Sequence, residues 1–251
     1  DKDSAELAEV IASPTYAFKL APGHAIGISA DLAWQRFEVE GVPDALGVES
    51  PGSDSSTGLG FKLGWSGQVT ERITLGAMYS SRIRMGKLKR YRNLLANHGE
   101  FDIPERYGIG VAWRPTADIV IAADVMRVKW GDLESLANAL ISAEPGFGWR
   151  SQTLARVGVS WQAAPSLALR TGFSHGQQIV SSANATLNYL APVTPRKHFT
   201  LGATYALSTD SELSFMYARA FGSEVKGSGP SSGIAVDMSQ HWVGASLAFK
   251  W

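Results

Sequence analysis

Residues 59–66 read LGFKLGWS, with Leu59, Phe61, Leu63 and Trp65 on one parity and Gly60, Lys62, Gly64 and Ser66 on the other. The same alternation returns at Ile73, Leu75, Ala77 and Tyr79, at Tyr107, Ile109, Val111 and Trp113, and at Val157, Val159 and Trp161. It recurs at Phe199, Leu201, Ala203 and Tyr205, and again from Val243 through Ala245, Leu247 and Phe249 to Trp251. An apolar row of period two demands strands with one greasy face. The opposite row is rich in glycine, serine, threonine and arginine. Eleven strands are predicted, near 13–21, 24–41, 56–69, 73–89, 101–115, 119–132, 152–164, 167–180, 195–208, 212–226 and 234–251.

The connections decide what kind of sheet this is. APGH, TER, RPTAD, APS and STDS are tight turns, whereas VPDALGVESPGSDSS, RYRNLLANHGE, LESLANALISAEPGFGWRS, SSANATLNYLAPVT and GSGPSSG are long. Short and long alternate strictly, so every long loop lies at one end. An outer-membrane barrel has this asymmetry, and a soluble sandwich has no reason to keep it. The strands also exceed the usual globular length and match the roughly 9–11 residues that cross a bilayer at a tilt. A mean hydropathy of -0.04 is compatible with this, because a barrel gives only alternate residues to lipid. The fold class predicted is therefore all-β, a transmembrane antiparallel up-and-down barrel in the bacterial outer membrane. With eleven strands the first begins on the loop side, so the chain is expected to be part of a longer barrel. A twelfth strand from DKDSAELAEV stays open, although that segment has a helical look.

Trp65, Trp113, Trp161 and Trp251 stand on the apolar row near short-turn ends, with Tyr205 in the equivalent place. Amphipathic rings at that level make a membrane-interface girdle. The other row then lines the lumen. It carries Lys62, Arg82, Arg84, Arg156 and Arg170, with Asp31 and Asp124, and also Met78, Met126, Met216, Leu154, Trp130 and Trp242. Bulky apolar groups beside a few arginines suit a hydrophobic or amphipathic ligand better than a water-filled pore. Two readings of the arginines stay open: a clamp for an acidic head, or ion pairs with Asp31 and Asp124 that stiffen the interior.

The stretch GEFDIPERYGIGVAWRPTADIVIAADVMRVKWGD (Gly99 to Asp132) resembles the FadL-type outer-membrane transporters of fatty acids and hydrocarbons, through Pro104, Gly108, Arg114, Pro115, Asp124 and Trp130. The hairpins at Ser13 to Trp34, Phe61 to Met85 and Phe199 to Phe221 are similar to others of that family. The resemblance implies a barrel of fourteen strands plugged by an N-terminal hatch. Hydrophobic substrate would be captured at extracellular loops, passed to a lumenal site and released sideways through a gap in the wall. The eleven strands here would be the fourth to the fourteenth. The hatch, the first strands and the strand kink tied to lateral exit have no counterpart, so residues 1–251 are expected to form a single barrel domain without them.

Two loops place leucines at helical spacing: Leu94 and Leu95 in one, Leu136 and Leu140 in the other. They would form either a substrate-capture surface or a lid packed on itself. An enzyme is not expected. Ser174 and His175 are adjacent on a strand and point to opposite faces, and Ser239 with His241 lacks a third member to orient the imidazole. No metal or other cofactor is expected, and the zero net charge gives no hint of nucleic acid. The function expected is passive uptake of a hydrophobic small molecule, a fatty acid or hydrocarbon, by a monomer bathed in outer-membrane lipid. The alternatives are an adhesive surface barrel acting through its long loops and a general porin.

Overall fold

The structure is a computed structural model that describes residues 4–41, 51–139, 141–144 and 146–249. The expected girdle residue Trp251 and loop residue Leu140 lie outside the described residues. One large antiparallel sheet dominates. Its strands are β1 (Ser4–Ala12), β2 (Thr15–Ala21), β3 (His24–Glu40), β4 (Asp54–Gln68), β5 (Ile73–Ser80), β6 (Arg84–Met85), β7 (Arg106–Trp113), β8 (Ile119–Val128), β9 (Gln152–Ala164), β10 (Leu167–Gly176), β11 (Lys197–Ala206), β12 (Ser211–Phe221) and β15 (Gln240–Phe249). A small hairpin, β13 (Val225–Lys226) with β14 (Ala235–Val236), stands apart in a loop. The order β1-β3-β4-β5-β7-β8-β9-β10-β11-β12-β15 makes each long strand pair with its sequence neighbours, an up-and-down wall that forms part of a barrel.

The first strand departs from its helical look. Ser4–Ala12 is extended, not helical, and pairs with the upper half of β3 from Glu40 down to Leu32. Pairing of β2 continues below it, Thr15 against Ser29, in the same register. The two are one strand interrupted at Ser13 and Pro14. Proline has no N–H to give the ladder, although its carbonyl still accepts from the Ala30 N–H at 3.2 Å. The alanines and glutamates of SAELAEV favour a helix locally, but the unusually long β3 offers an open edge with which the whole segment pairs.

A second difference sits between β5 and β6. Lys62 pairs with Ser80, yet Leu59 pairs with Arg84, so four steps along one strand match three along the other. This extra residue reverses the side-chain parity beyond it. Ile83 and Met85 turn inward, where they are buried with Ala33. Arg84, expected in the lumen, turns outward beside Leu59.

The alternation otherwise holds. Leu59, Phe61, Ile109, Val111, Val157, Leu201, Phe215, Val243 and Leu247 stand exposed on one face. So continuous an apolar surface is costly in water and natural in a bilayer. Trp113 (46% exposed), Trp161 and Tyr205 lie on this face close to the short-turn ends of β7, β9 and β11, and Trp65 stacks on His24 with ring centroids 5.9 Å apart. Among the described residues no helix is long and apolar enough to cross a membrane.

Candidate functional site

The lumenal face is a grid set by strand register. In one row Gly64, Met78, Gly108, Met126 and Leu154 follow each other across β4, β5, β7, β8 and β9. The next row toward the short turns runs Gly110, Asp124, Arg156, Ser174 and His198. Beyond it lie Ala122, Gly158, Gly172, Thr200, Ala218 and Trp242. Ser160, Arg170, Gly202, Met216 and Gly244 form the row after that. Glycine therefore leaves hollows in the wall between the larger side chains. The wall is close-packed where it does so: a Cβ on Gly108 would stand 2.8 Å from the Val125 carbonyl oxygen.

Two hollows flank the Asp124–Arg156 pair. One of about 250 Å³ is lined from inside by Gly76, Met78, Gly110, Met126 and the ion pair itself. The other, about 490 Å³, is bounded by Gly158, Gly172, Ser174, His198 and Thr200. Thioethers fill irregular space adaptably and present polarizable, weakly accepting sulfur, so the first hollow suits an apolar guest of variable shape. The His198 ring, which lines the second hollow, is near-parallel to that of Trp242 with centroids 6.3 Å apart. Larger depressions of about 650 and 980 Å³ lie mainly between outer-face side chains such as Trp161, Leu201 and Phe215, or Leu63, Trp65 and Ile109. Those lie on the outer face and not on the lumenal wall.

The nominated residues thus separate into groups. Met78, Met126, Leu154 and Arg156 come together around Asp124. Arg170 and Met216 lie in a lower row on either side of Gly202. Lys62 stands apart against the Ser13 break, donating to Asp31 Oδ1 at 2.8 Å and to Ser13 Oγ at 3.1 Å, while Ser13 Oγ donates to the same carboxylate at 2.7 Å. Arg82 lies in the break between β5 and β6 and is held by the loop carboxylates Glu100 and Asp102, Trp130 lies in the loop after β8, and Arg84 is outside.

Most of the cations are already neutralised. Arg156 Nε lies 2.7 Å from Asp124 Oδ1. Asp31, fully buried, holds Lys62. Arg82 bridges Glu100 and Asp102, reaching Asp102 Oδ2 at 2.6 Å. Arg170 is the exception: it sits on the lumenal face with the Thr204 hydroxyl as its acceptor, at 2.7 Å.

The loop leucines form a cap. Leu95 and Leu136 are buried in a cluster with Phe37, Leu88, Tyr91, Phe101 and Leu133, and Leu94, Trp130 and Trp149 pack against it. Trp130 meets Trp149 edge-on at 5.5 Å. The Tyr91 hydroxyl accepts from the Val39 N–H and donates to the Gly52 carbonyl, tying the cap to the top of β3. Asn97, His98 and Gly99 all have positive φ, and this tight left-handed turn brings Gly99 against Leu88. The two loops are therefore packed on each other, with their leucines turned in.

Sequence reasoning did not single out Ser13, His198 or Thr200, and it took up Ser174 only to set aside a dyad with His175. The two do face opposite ways, Ser174 in the Arg156 row and His175 opposite Lys197. Only cross-strand register, which a single strand does not encode, brings Ser174 beside Arg156.

The family described as outer membrane protein transport protein (OMPP1/FadL/TodX) matches residues 3–248. The fold is similar to the P. putida toluene transporter TodX, with a TM-score of 0.72 and 18% identity over 98% of this chain and 70% of that one. It is similar to the Ralstonia pickettii toluene transporter TbuX, at TM-score 0.68 and 15% identity over 98% and 68%. A Pseudomonas aeruginosa FadL homologue gives TM-score 0.70 and 16% identity over 97% and 67%. No curated protein matches the sequence.

Proposed function

The chain belongs to the FadL/TodX family of outer-membrane transport proteins, and on that footing we propose that it passes neutral hydrophobic small molecules, monoaromatic or other hydrocarbons, along the glycine-and-methionine wall beside Asp124 and Arg156. As a family of transport proteins it calls for no covalent chemistry. The observation that carries this reading is the pairing of the charges. Arg156, Lys62 and Arg82 each have a carboxylate within 2.8 Å, so these three offer little to a second anion. Displacing such a partner leaves it uncompensated, which costs more than an incoming carboxylate returns. What remains open to a guest is the thioether and aliphatic surface of Met78, Met126 and Leu154. Relatives named as toluene transporters have the same fold, which supports the neutral-ligand reading.

Of the nominated cations that do face the lumen, Arg170 alone has no carboxylate partner among the described residues, and it defines the test. Cells lacking their own hydrophobe uptake, supplied with this protein, are given labelled toluene and labelled long-chain fatty acid. Toluene uptake is expected to depend on the protein and to change less than about twofold in Arg170→Ala. Fatty-acid uptake alone, abolished by Arg170→Ala, would replace the neutral-ligand reading with a carboxylate one.

A further inference from the structure

The register slip after β5 has a consequence outside the barrel. It turns Arg84 onto the lipid-facing wall, where no hydrogen-bonding or carboxylate partner for its side chain is found among the described residues. An arginine facing lipid is expensive unless an anion meets it. Beside it lies a groove of about 870 Å³, lined by Val10, Leu32, Trp34, Thr57 and Leu59. The groove is mainly apolar, and Arg84 is the one charged residue in its lining.

The position of other charges points to the same occupant. On the outer face the strand lysines and arginines stand toward the long-loop ends, as Arg127, Lys197 and Arg219 show, and none of these three has a carboxylate partner among the described residues. Arg36 lies on the same side, paired with Glu38 at 2.7 Å. Near the short-turn ends the outer-face rows carry Trp113, Trp161 and Tyr205 instead. Outer-face cations without a carboxylate partner toward the long loops are complementary to a leaflet whose headgroups are anionic.

We propose that this wall is a binding site for a phosphorylated glycolipid of the outer leaflet. One acyl chain lies in the Val10–Trp34–Leu59 groove, and a sugar phosphate accepts hydrogen bonds from the Arg84 guanidinium. Arginine suits this task because its fork matches two phosphate oxygens at once. The extra residue between Ser80 and Arg84 is what aims it; without the slip Arg84 would face the lumen.

The test is lipid retention by the protein folded in detergent, followed by native mass spectrometry with bisphosphorylated lipid A and with its dephosphorylated form as probes. The phosphorylated form is expected to stay bound and the dephosphorylated form to be lost. Arg84→Gln should weaken retention about tenfold, the size of one charge-assisted contact, and Arg84→Lys, which keeps the charge but loses the fork, should recover only part of it. Equal retention of the two probes by the unaltered protein would overturn the proposal, as would full retention by a folded Arg84→Gln variant. The two-probe comparison decides the matter even if that variant does not fold.

Discussion

Replacing Val157 with arginine is expected to block barrel assembly, although arginine is the native residue one position earlier. Arg156 and Val157 share a strand and a depth but face opposite ways. Arg156 meets Asp124 at 2.7 Å in the lumen, whereas Val157 is 48% exposed on the outer wall between Ala123 and Phe173. Near the middle of β9 the outer side chain has only lipid around it, and an arginine there costs about 2–4 kcal/mol. That is a large part of the stability of a folded domain. The check is the heat-modifiable gel shift of folded barrel, with Val157→Leu and the lumen-facing Ala122→Arg as companions. Both companions are expected to assemble; assembly of Val157→Arg to the same extent would reverse the assignment of faces.

The cap gives the second large effect. Leu88 is completely buried among Phe37, Tyr91, Phe101 and Leu133, and the Gly99 backbone closes over it through a hydrogen bond from the Leu88 N–H to the Gly99 carbonyl at 2.8 Å. Truncation to alanine removes about 2–5 kcal/mol of packing, because the surrounding turn is too tight to collapse into the space. The loss is local. Residues 86–101 are held by this cluster and by the Arg82 bridges, whereas the strands are held by their ladder and by lipid. Leu88→Ala should therefore expose the loop to rapid proteolysis while the strand core remains heat-modifiable. A cap as resistant as the unaltered one would show that the leucine cluster does not hold the loops together.

Much of this was legible in the sequence because lipid imposes its pattern strand by strand. Val157 and Trp161 announce their face through neighbours at distance two, and the alternation of tight and long connections fixes the sidedness. What was not legible is non-local. The SAELAEV segment looks helical until β3 offers it an edge. Arg84 looks lumenal because parity counted from Ser80 cannot register one extra residue. The pairing of Arg156 with Asp124 follows from register between β8 and β9, and shared parity only allowed it. The leucines of the two loops were visible, but their burial against Phe37 and Tyr91 joins segments far apart in the chain.

The central claim is that a hydrophobic solute travels along the inner wall past Met126, and the absence of cysteine from the chain makes it directly measurable. Met126→Cys points into the hollow beside Asp124, and Val125→Cys, the adjacent position, points to lipid. Each variant would be treated with a bulky thiol reagent, and uptake of labelled toluene would be followed before and after. Modification at 126 is expected to stop uptake and modification at 125 to leave it unchanged. Uptake that continues undiminished past a fully modified Cys at 126 would contradict the route.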